Sequence, residues 1–277
     1  MEKNGLLEGA PESPTILRSV EPGSEARDMY VWARDDHSGE LTNVSVSITT
    51  NAVLNSGGHQ HDNNRNGVAP GTLSAGTQNG KTIQISVKGA GAFYFTPPAA
   101  SGDHVLTATC TTSVVPSTCS MAPGPNKVWV GIKGLQPLMD LANYDLIGWR
   151  EIHPDNHYLT SEAVTKVMNL AYQYHSVSFP FSPVLQLNDA SLERGGVFDI
   201  ATTTRDTTGW YSAPHSEHRR GTVIDIQANG SATAIPRKNQ AEFERIMSEV
   251  MGMTWVPESL NKSNGHYHVR TLGGTTE

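Results

Sequence analysis

The stretches HSEHRRGTVIDI, residues 215–226, and GHYHVR, residues 265–270, decide how the C-terminal half of this chain is read. In the first, His218 and Asp225 stand seven positions apart, and side chains that meet on one helix face are three or four apart, so the pair does not belong to adjacent helical turns. A turn entering a strand fits instead. Gly221 supplies the turn, and the mostly β-branched run Thr222, Val223, Ile224, Asp225, Ile226 reads as a buried strand that carries the carboxylate. In the second stretch, strand alternation puts His266 and His268 on one face and Tyr267 on the other. A catalytic zinc takes three protein ligands from among His, Asp, Glu and Cys, leaving a fourth position for the water that becomes the nucleophile, and two imidazoles and a carboxylate would meet that need. A nearby base must still collect the proton of that water, and the surplus histidine of the pair suits the task.

These elements, His218-x6-Asp225 enclosing Gly221 and His266-x-His268, resemble the LAS metallopeptidases, the superfamily of lysostaphin-type enzymes, D-Ala-D-Ala metallopeptidases and hedgehog signalling domains. The wording SEHRRGTVIDI and HYHVR, preceded by NDASLERGGVFDI, is most similar to penicillin-insensitive murein endopeptidases. By position, the resemblance implies His218, Asp225 and His268 as zinc ligands and His266 as the base. It implies Zn2+ as cofactor and peptide bonds of bacterial peptidoglycan as substrate. Two departures stand out: Glu217 occupies a position where these relatives usually carry a small Ser, and the H-x-H strand lacks the acidic residue that other branches use as base. In hedgehog domains a site of this type serves binding, so the alternative expectation is a catalytically silent zinc-containing protein that binds wall or partner.

Around this centre, His215 is a candidate partner for a ligand or substrate, and Arg194, Gly195 and Gly196 form a turn able to approach a backbone closely. Trp210 and Tyr211 read as cleft walls or as core. Two helices are expected, with the ligand-bearing strands between and after them. Thr160 or Ser161 caps one carrying Val164, Val167, Met168, Ala171 and Tyr174 at helical spacing. A second starts in capping-box fashion at Asn239-x-x-Glu242, carries Phe243, Ile246, Met247 and Val250, and ends at Gly252. Helices on a mainly antiparallel sheet give an α+β domain over 134–277. His153 and His157, four apart without a third partner, are read as structural.

Upstream the periodicity changes. Val44, Val46 and Ile48 alternate with polar residues, as do Ile83, Ile85 and Val87, and further short apolar runs lie at 93–95, 105–109 and 128–132. Strands without helices predict an all-β sandwich of immunoglobulin-like type over 26–133, preceded by a Pro-, Gly- and Glu-containing lead-in, 1–25, expected to be flexible. His59 and His61 in GGHQHD, beside Asp62, are a weaker second metal candidate, with His104 the only further histidine expected in that sheet.

Composition excludes several classes. A net charge of -7 and the absence of a basic run argue against nucleic acid and against an anionic membrane surface. No apolar stretch reaches the ~20 residues of a membrane span. The N-terminus shows no signal peptide; Cys110 and Cys119, the two cysteines of the chain, bracket TTSVVPST and read either as a hairpin disulfide or as two free thiols, and the wall-acting role that the resemblance implies favours the disulfide and a periplasmic or extracellular setting.

Overall fold

The computed structural model describes residues 3–8, 16–34, 44–53, 56, 71–112, 119–121, 126–139, 145–149, 156–178, 184–197, 215–229 and 235–273. The chain divides into two compact units, Met1–Ile132 and Lys133–Glu277.

The first unit is built of strands β1 (Lys3–Glu8), β2 (Ile16–Val20), β3 (Arg27–Arg34), β4 (Val44–Ala52), β5 (Thr72–Ala75), β6 (Gln78–Gly80), β7 (Thr82–Val87), β8 (Ala90–Thr96), β9 (Gly102–Thr112), β10 (Cys119–Met121) and β11 (Lys127–Val130). Alternation decides their faces. Val44, Val46 and Ile48 of β4 are buried while Ser45 is exposed, and across the ladder they meet Val87, Ile85 and Ile83 of β7. One set of paired strands runs β7-β4-β9-β11-β2 and the other β1-β3-β8-β5-β6, with the short β10 joining β9 to β1. Buried residues of both sets, among them Ile48, Leu106 and Val128 from the first and Val31, Phe93 and Phe95 from the second, form one cluster. The two sets therefore face each other as a β-sandwich. At Gly91 they approach so closely that a Cβ would come within 2.9 Å of Ile85 and Val87. Burying each large core side chain stabilises by about 1.5–3 kcal/mol, which makes this shared interior the main source of the unit's cohesion.

The stretch 1–25 departs from its expectation as a flexible lead-in. It contributes β1, parallel to β10 and antiparallel to β3, and β2, parallel to β11. Leu17 and Val20 are buried in the sandwich core, and their apolar contact outweighs the entropy that the local composition favours. Cys110 is disulfide-bonded, and Cys119, the other cysteine of the chain, is its register partner across β9 and β10.

The second unit comprises β12 (Leu135–Pro137), β13 (Ile147–Trp149), β14 (Tyr158–Thr160), α1 (Ser161–Tyr172), β15 (Leu185–Leu187), β16 (Val223–Gln227), α2 (Arg237–Arg245), β17 (Thr254–Glu258) and β18 (His266–Arg270). Its five-stranded sheet has the order β13-β15-β16-β18-β17, antiparallel except between β13 and β15. Ile224, Ile226, Tyr267 and Val269 are buried in one cluster with Val167, Leu170 and Ala171 of α1 and Phe243 of α2. That packing commits the opposite residues of β16 and β18, Asp225, His266 and His268, to the other face.

Thr160 caps α1, its hydroxyl accepting from the Ala163 N–H at 3.3 Å. The helix then widens into a π-turn over Gln173–Ser178. The second helix starts earlier than its capping-box reading. Pro236 holds the N-cap position with extended ψ of 140°, and Asn239 lies buried inside the first turn, its N–H bonded to the Pro236 carbonyl. Proline's fixed φ sets the chain up for the helix, so no side-chain cap is formed. Gly252, at φ +62°, follows the π-turn Ile246–Val250 and ends the segment. His157 stacks on Trp149 with ring centroids 3.7 Å apart; His153 lies outside the described residues. Among the described residues no helix is long and apolar enough to cross a membrane.

Candidate metal centre

Two neighbouring elements deliver the side chains. A 3-10 turn, His215–Arg220, holds His218, and Gly221 reverses the chain into β16. Gly221 takes φ +69°, and a Cβ there would lie 2.5 Å from Leu135 and 3.2 Å from the Thr160 nitrogen. Only glycine fits such a left-handed, crowded position without strain. Its carbonyl accepts from the Thr160 N–H at 2.8 Å, and the Gly196 N–H donates to the Arg219 carbonyl at 2.9 Å. The Gly195-Gly196 turn, with φ of +67° and +80°, thus ties down the histidine-bearing turn itself.

Register then places the rest. Across β16, β18 and β17, Asp225 opposes His268, which opposes Val256; Gln227 opposes His266, which opposes Glu258. His218 Nε2 lies 3.3 Å from Asp225 Oδ1, and His268 Nδ1 lies 2.9 Å from the same oxygen. The His218 and His268 rings meet edge-on, 5.0 Å between centroids. His218, Asp225 and His268 are fully buried and each offers one ligand atom, all within 4.8 Å of one another. This triad could hold a metal ion.

The donor set suits a divalent metal ion. Ligand atoms ~2.0–2.1 Å from a tetrahedral ion stand roughly 3.3 Å apart; the His218–Asp225 separation is 3.3 Å, and the His268–Asp225 separation, at 2.9 Å, would have to widen. His218 Nδ1 faces the Val223 carbonyl at 3.3 Å, so that when a metal displaces the Nε2 proton the remaining proton of the ring would stay on Nδ1, as ligation needs. Burial alone would raise the Asp225 carboxyl, but the His218 charge and the hydrogen bonds of His218 and His268 hold it well below the usual carboxylate range. Burial likewise pulls His218 down, while the charge and hydrogen bond of Asp225 bring it above the ordinary imidazole value. The acid is therefore ionised and ready to bind a cation.

His266 is the least buried of the three histidines at 13% exposure of its side chain. Its Nδ1 lies 2.9 Å from the Asn264 carbonyl, and its Nε2 lies 3.4 Å from Asp225 Oδ2 and 3.4 Å from Glu258 Oε2. A proton arriving at Nε2 meets two carboxylate acceptors. Glu258 is a residue that the sequence reading missed, because the acid comes from the neighbouring strand β17 and not from the H-x-H strand. The signal was the hairpin: TWVPE and HYHVR flank residues 259–265, and antiparallel pairing brings their near ends together. Glu217, whose role its place in the sequence does not reveal, also belongs to the site. It pairs with Arg270 through contacts of 2.6 and 2.9 Å, and its Oε2 stands 3.5 Å from His268 Nε2. Hydrogen bonding from Arg270 keeps its carboxyl below the ordinary value against a smaller opposing effect of burial.

Of the other candidates, the side chain of His215 and all of Trp210, Tyr211, His59, His61 and Asp62 lie outside the described residues. His104 is on β9, buried against Phe95 with centroids 5.5 Å apart, and its Nδ1 accepts from the Gly71 N–H at 3.4 Å.

No family model matches the chain, and no curated protein matches it. Among solved structures, the D00-D0 domain of intimin aligns at 11% identity over 43% of this chain and 46% of that one, with a TM-score of 0.24. The Escherichia coli adhesin FdeC aligns at 13% identity over 49% and 32%, with a TM-score of 0.25. The human F-spondin reeler domain aligns at 11% identity over 46% and 86%, with a TM-score of 0.28. The chain thus spans less than half of the intimin fragment, and likenesses this slight carry no argument about function.

Proposed function

We propose that the second unit is a zinc-dependent hydrolase of peptide bonds in bacterial cell-wall peptidoglycan, with the LAS-type α+β layout that its two motifs resemble. The observation that carries the reading is the convergence of His218, Asp225 and His268, from a turn and two strands, on ligand atoms within 4.8 Å of each other. Zinc bound there supplies Lewis acidity toward the scissile carbonyl and a water nucleophile at neutral pH.

The chain's own residues do the remainder. Asp225, ionised and central, fixes both imidazoles through its Oδ1. His266 accepts the proton of the attacking water at Nε2 and returns it to the leaving amine, a role that general acid–base catalysis places within hydrogen-bond reach of the reacting groups. Glu258 Oε2, 3.4 Å away, steadies the imidazole while it carries that proton. The disulfide at Cys110 supports an oxidising, periplasmic or extracellular setting, and the β-sandwich, in its immunoglobulin-like reading, serves to present the enzyme to wall polymer or to a partner.

A catalytically silent zinc-containing binding protein is the second reading. It is favoured by the complete burial of all three ligand side chains, which limits the approach of a polymeric substrate to an ion held among them. Mass spectrometry of muropeptides incubated with zinc-loaded protein separates the two. New stem-peptide or crosslink cleavage products that vanish in His266→Ala support hydrolysis. Stoichiometric zinc without any product supports the silent reading, and absence of zinc by elemental analysis removes both.

A further inference from the structure

Two ligand-bearing elements are joined by one side chain that the proposed reaction does not use. Glu217 precedes His218 on the 3-10 turn, yet its carboxylate reaches β18, where it takes two contacts from Arg270 at 2.6 and 2.9 Å and stands 3.5 Å from Nε2 of His268. We propose that Glu217 is a positioning residue for the metal: it accepts the Nε2 proton of His268, so that Nδ1 of that ring can serve as the ligand atom for a divalent cation, and through Arg270 it holds the His218 turn against the His268 strand. This inference rests on the metal-centre reading and deepens it.

The chemistry runs through the two nitrogens of one ring. A neutral imidazole carries a single N–H, and the nitrogen that ligates must be the one without it. In His268 the nitrogen turned toward the ligand cluster is Nδ1, 2.9 Å from Asp225 Oδ1. Ligation by Nδ1 moves the proton to Nε2, and the acceptor on that side is Glu217 Oε2. A carboxylate has room for several donors, so Glu217 serves Arg270 and His268 together. His218 has the same arrangement with a backbone partner: its Nδ1 faces the Val223 carbonyl, leaving Nε2 toward Asp225. Each ligand ring is thus oriented by a contact on its far nitrogen, one from main chain and one from Glu217. The geometry also explains the staple. Glu217 and His218 are consecutive, so fixing the first to Arg270 fixes the backbone from which the second projects.

Loss of such an outer partner typically weakens metal binding ~10–100-fold. The test compares zinc affinity of the full chain, by competition with a chromophoric chelator, for the wild type and for Glu217→Ala, Glu217→Gln and Arg270→Met. Nitrogen-15 spectra of the histidine rings with zinc bound report the His268 tautomer. The expected result is a ~10–100-fold weaker affinity in Glu217→Ala, partial recovery in Glu217→Gln, whose amide oxygen still accepts, and a smaller loss in Arg270→Met, which retains the carboxylate. The wild type shows the proton on Nε2 of His268, and Glu217→Ala loses that defined signal. The inference is overturned if Glu217→Ala binds zinc within twofold of the wild type, or if Arg270→Met loses as much affinity with the tautomer unchanged in both variants. A wild-type chain that takes up no zinc overturns the metal-centre reading itself, a result distinct from either. Circular dichroism of each metal-free variant confirms that the comparison is made on folded protein.

Discussion

Asp225 and His268 sit directly opposite each other on β16 and β18, with Oδ1 of the acid 2.9 Å from Nδ1 of the imidazole, and the same oxygen is 3.3 Å from His218. One carboxylate oxygen is thereby the hub of the cluster. Its burial is tolerable because imidazoles and, when present, a cation surround the charge.

Replacing Asp225 by Asn keeps the shape and removes the charge. The amide is a poor zinc ligand, and the expected outcome is a loss of zinc affinity exceeding the ~10–100-fold attached to outer partners, together with loss of muropeptide cleavage. Elemental analysis after dialysis reads the first and product mass spectrometry the second. Full zinc occupancy in Asp225→Asn would show that the ion, if bound, is held elsewhere.

His266 and Glu258 divide differently. His266→Ala leaves the three ligands in place, so zinc is retained while turnover falls ~10²–10⁴-fold, the usual weight of a general acid–base residue. Glu258→Gln is expected to lower kcat by less, with KM little changed, because it acts on the imidazole and not on the substrate. Steady-state kinetics on one purified muropeptide checks both, and equal losses in kcat and zinc content would mean that His266 is a ligand.

Gly221 carries the turn into β16, and its φ of +69° is available to other residues only at a cost of about 1–3 kcal/mol. Gly221→Ala adds a Cβ 2.5 Å from Leu135 Cδ2 and 3.2 Å from the Thr160 nitrogen. Leu135 can swing aside, but the Thr160 backbone is held by α1. The expected result is destabilisation of that order in denaturant titration and a weaker zinc site, since His218 precedes the turn. Unchanged midpoint and affinity would show that the loop relaxes freely.

How much of this was legible depends on whether the deciding contact is local. The faces of β4 and of β18 follow from alternation alone, and Thr160 announced α1 because an N-cap acts within three residues. The strands β1 and β2 carried no such mark. They pair in parallel with β10 and β11, about a hundred residues downstream, where local composition says nothing. Glu258 was hidden for a related reason: which acid faces His266 depends on the register of β17 against β18, and Pro257 makes that edge strand read as a loop. The start of α2 was misplaced because Asn239 resembles a cap, while Pro236 supplies the entry geometry without one.

His104 gives the pH dependence its clearest test. It is completely buried on β9, and burial lowers its pKa from 6.5 to about 4, the nearby Asp103 charge opposing only in part. The unfolded chain therefore takes up a proton near pH 6.5 that the folded one resists until about 4. Its contribution to stability is complete above 6.5 and is lost progressively as pH falls toward 4, by an amount on the order of 3 kcal/mol. Protonation would also put a donor on Nδ1, which now accepts from the Gly71 N–H. His104→Leu lacks both the titration and the acceptor, so it is expected to be less stable at pH 7.5 yet to lose less than the wild type on going to pH 4.5. Carboxylates elsewhere contribute equally to both proteins and cancel in the difference. Parallel pH slopes in urea unfolding of wild type and variant would place the acid sensitivity somewhere other than the interior of the sandwich.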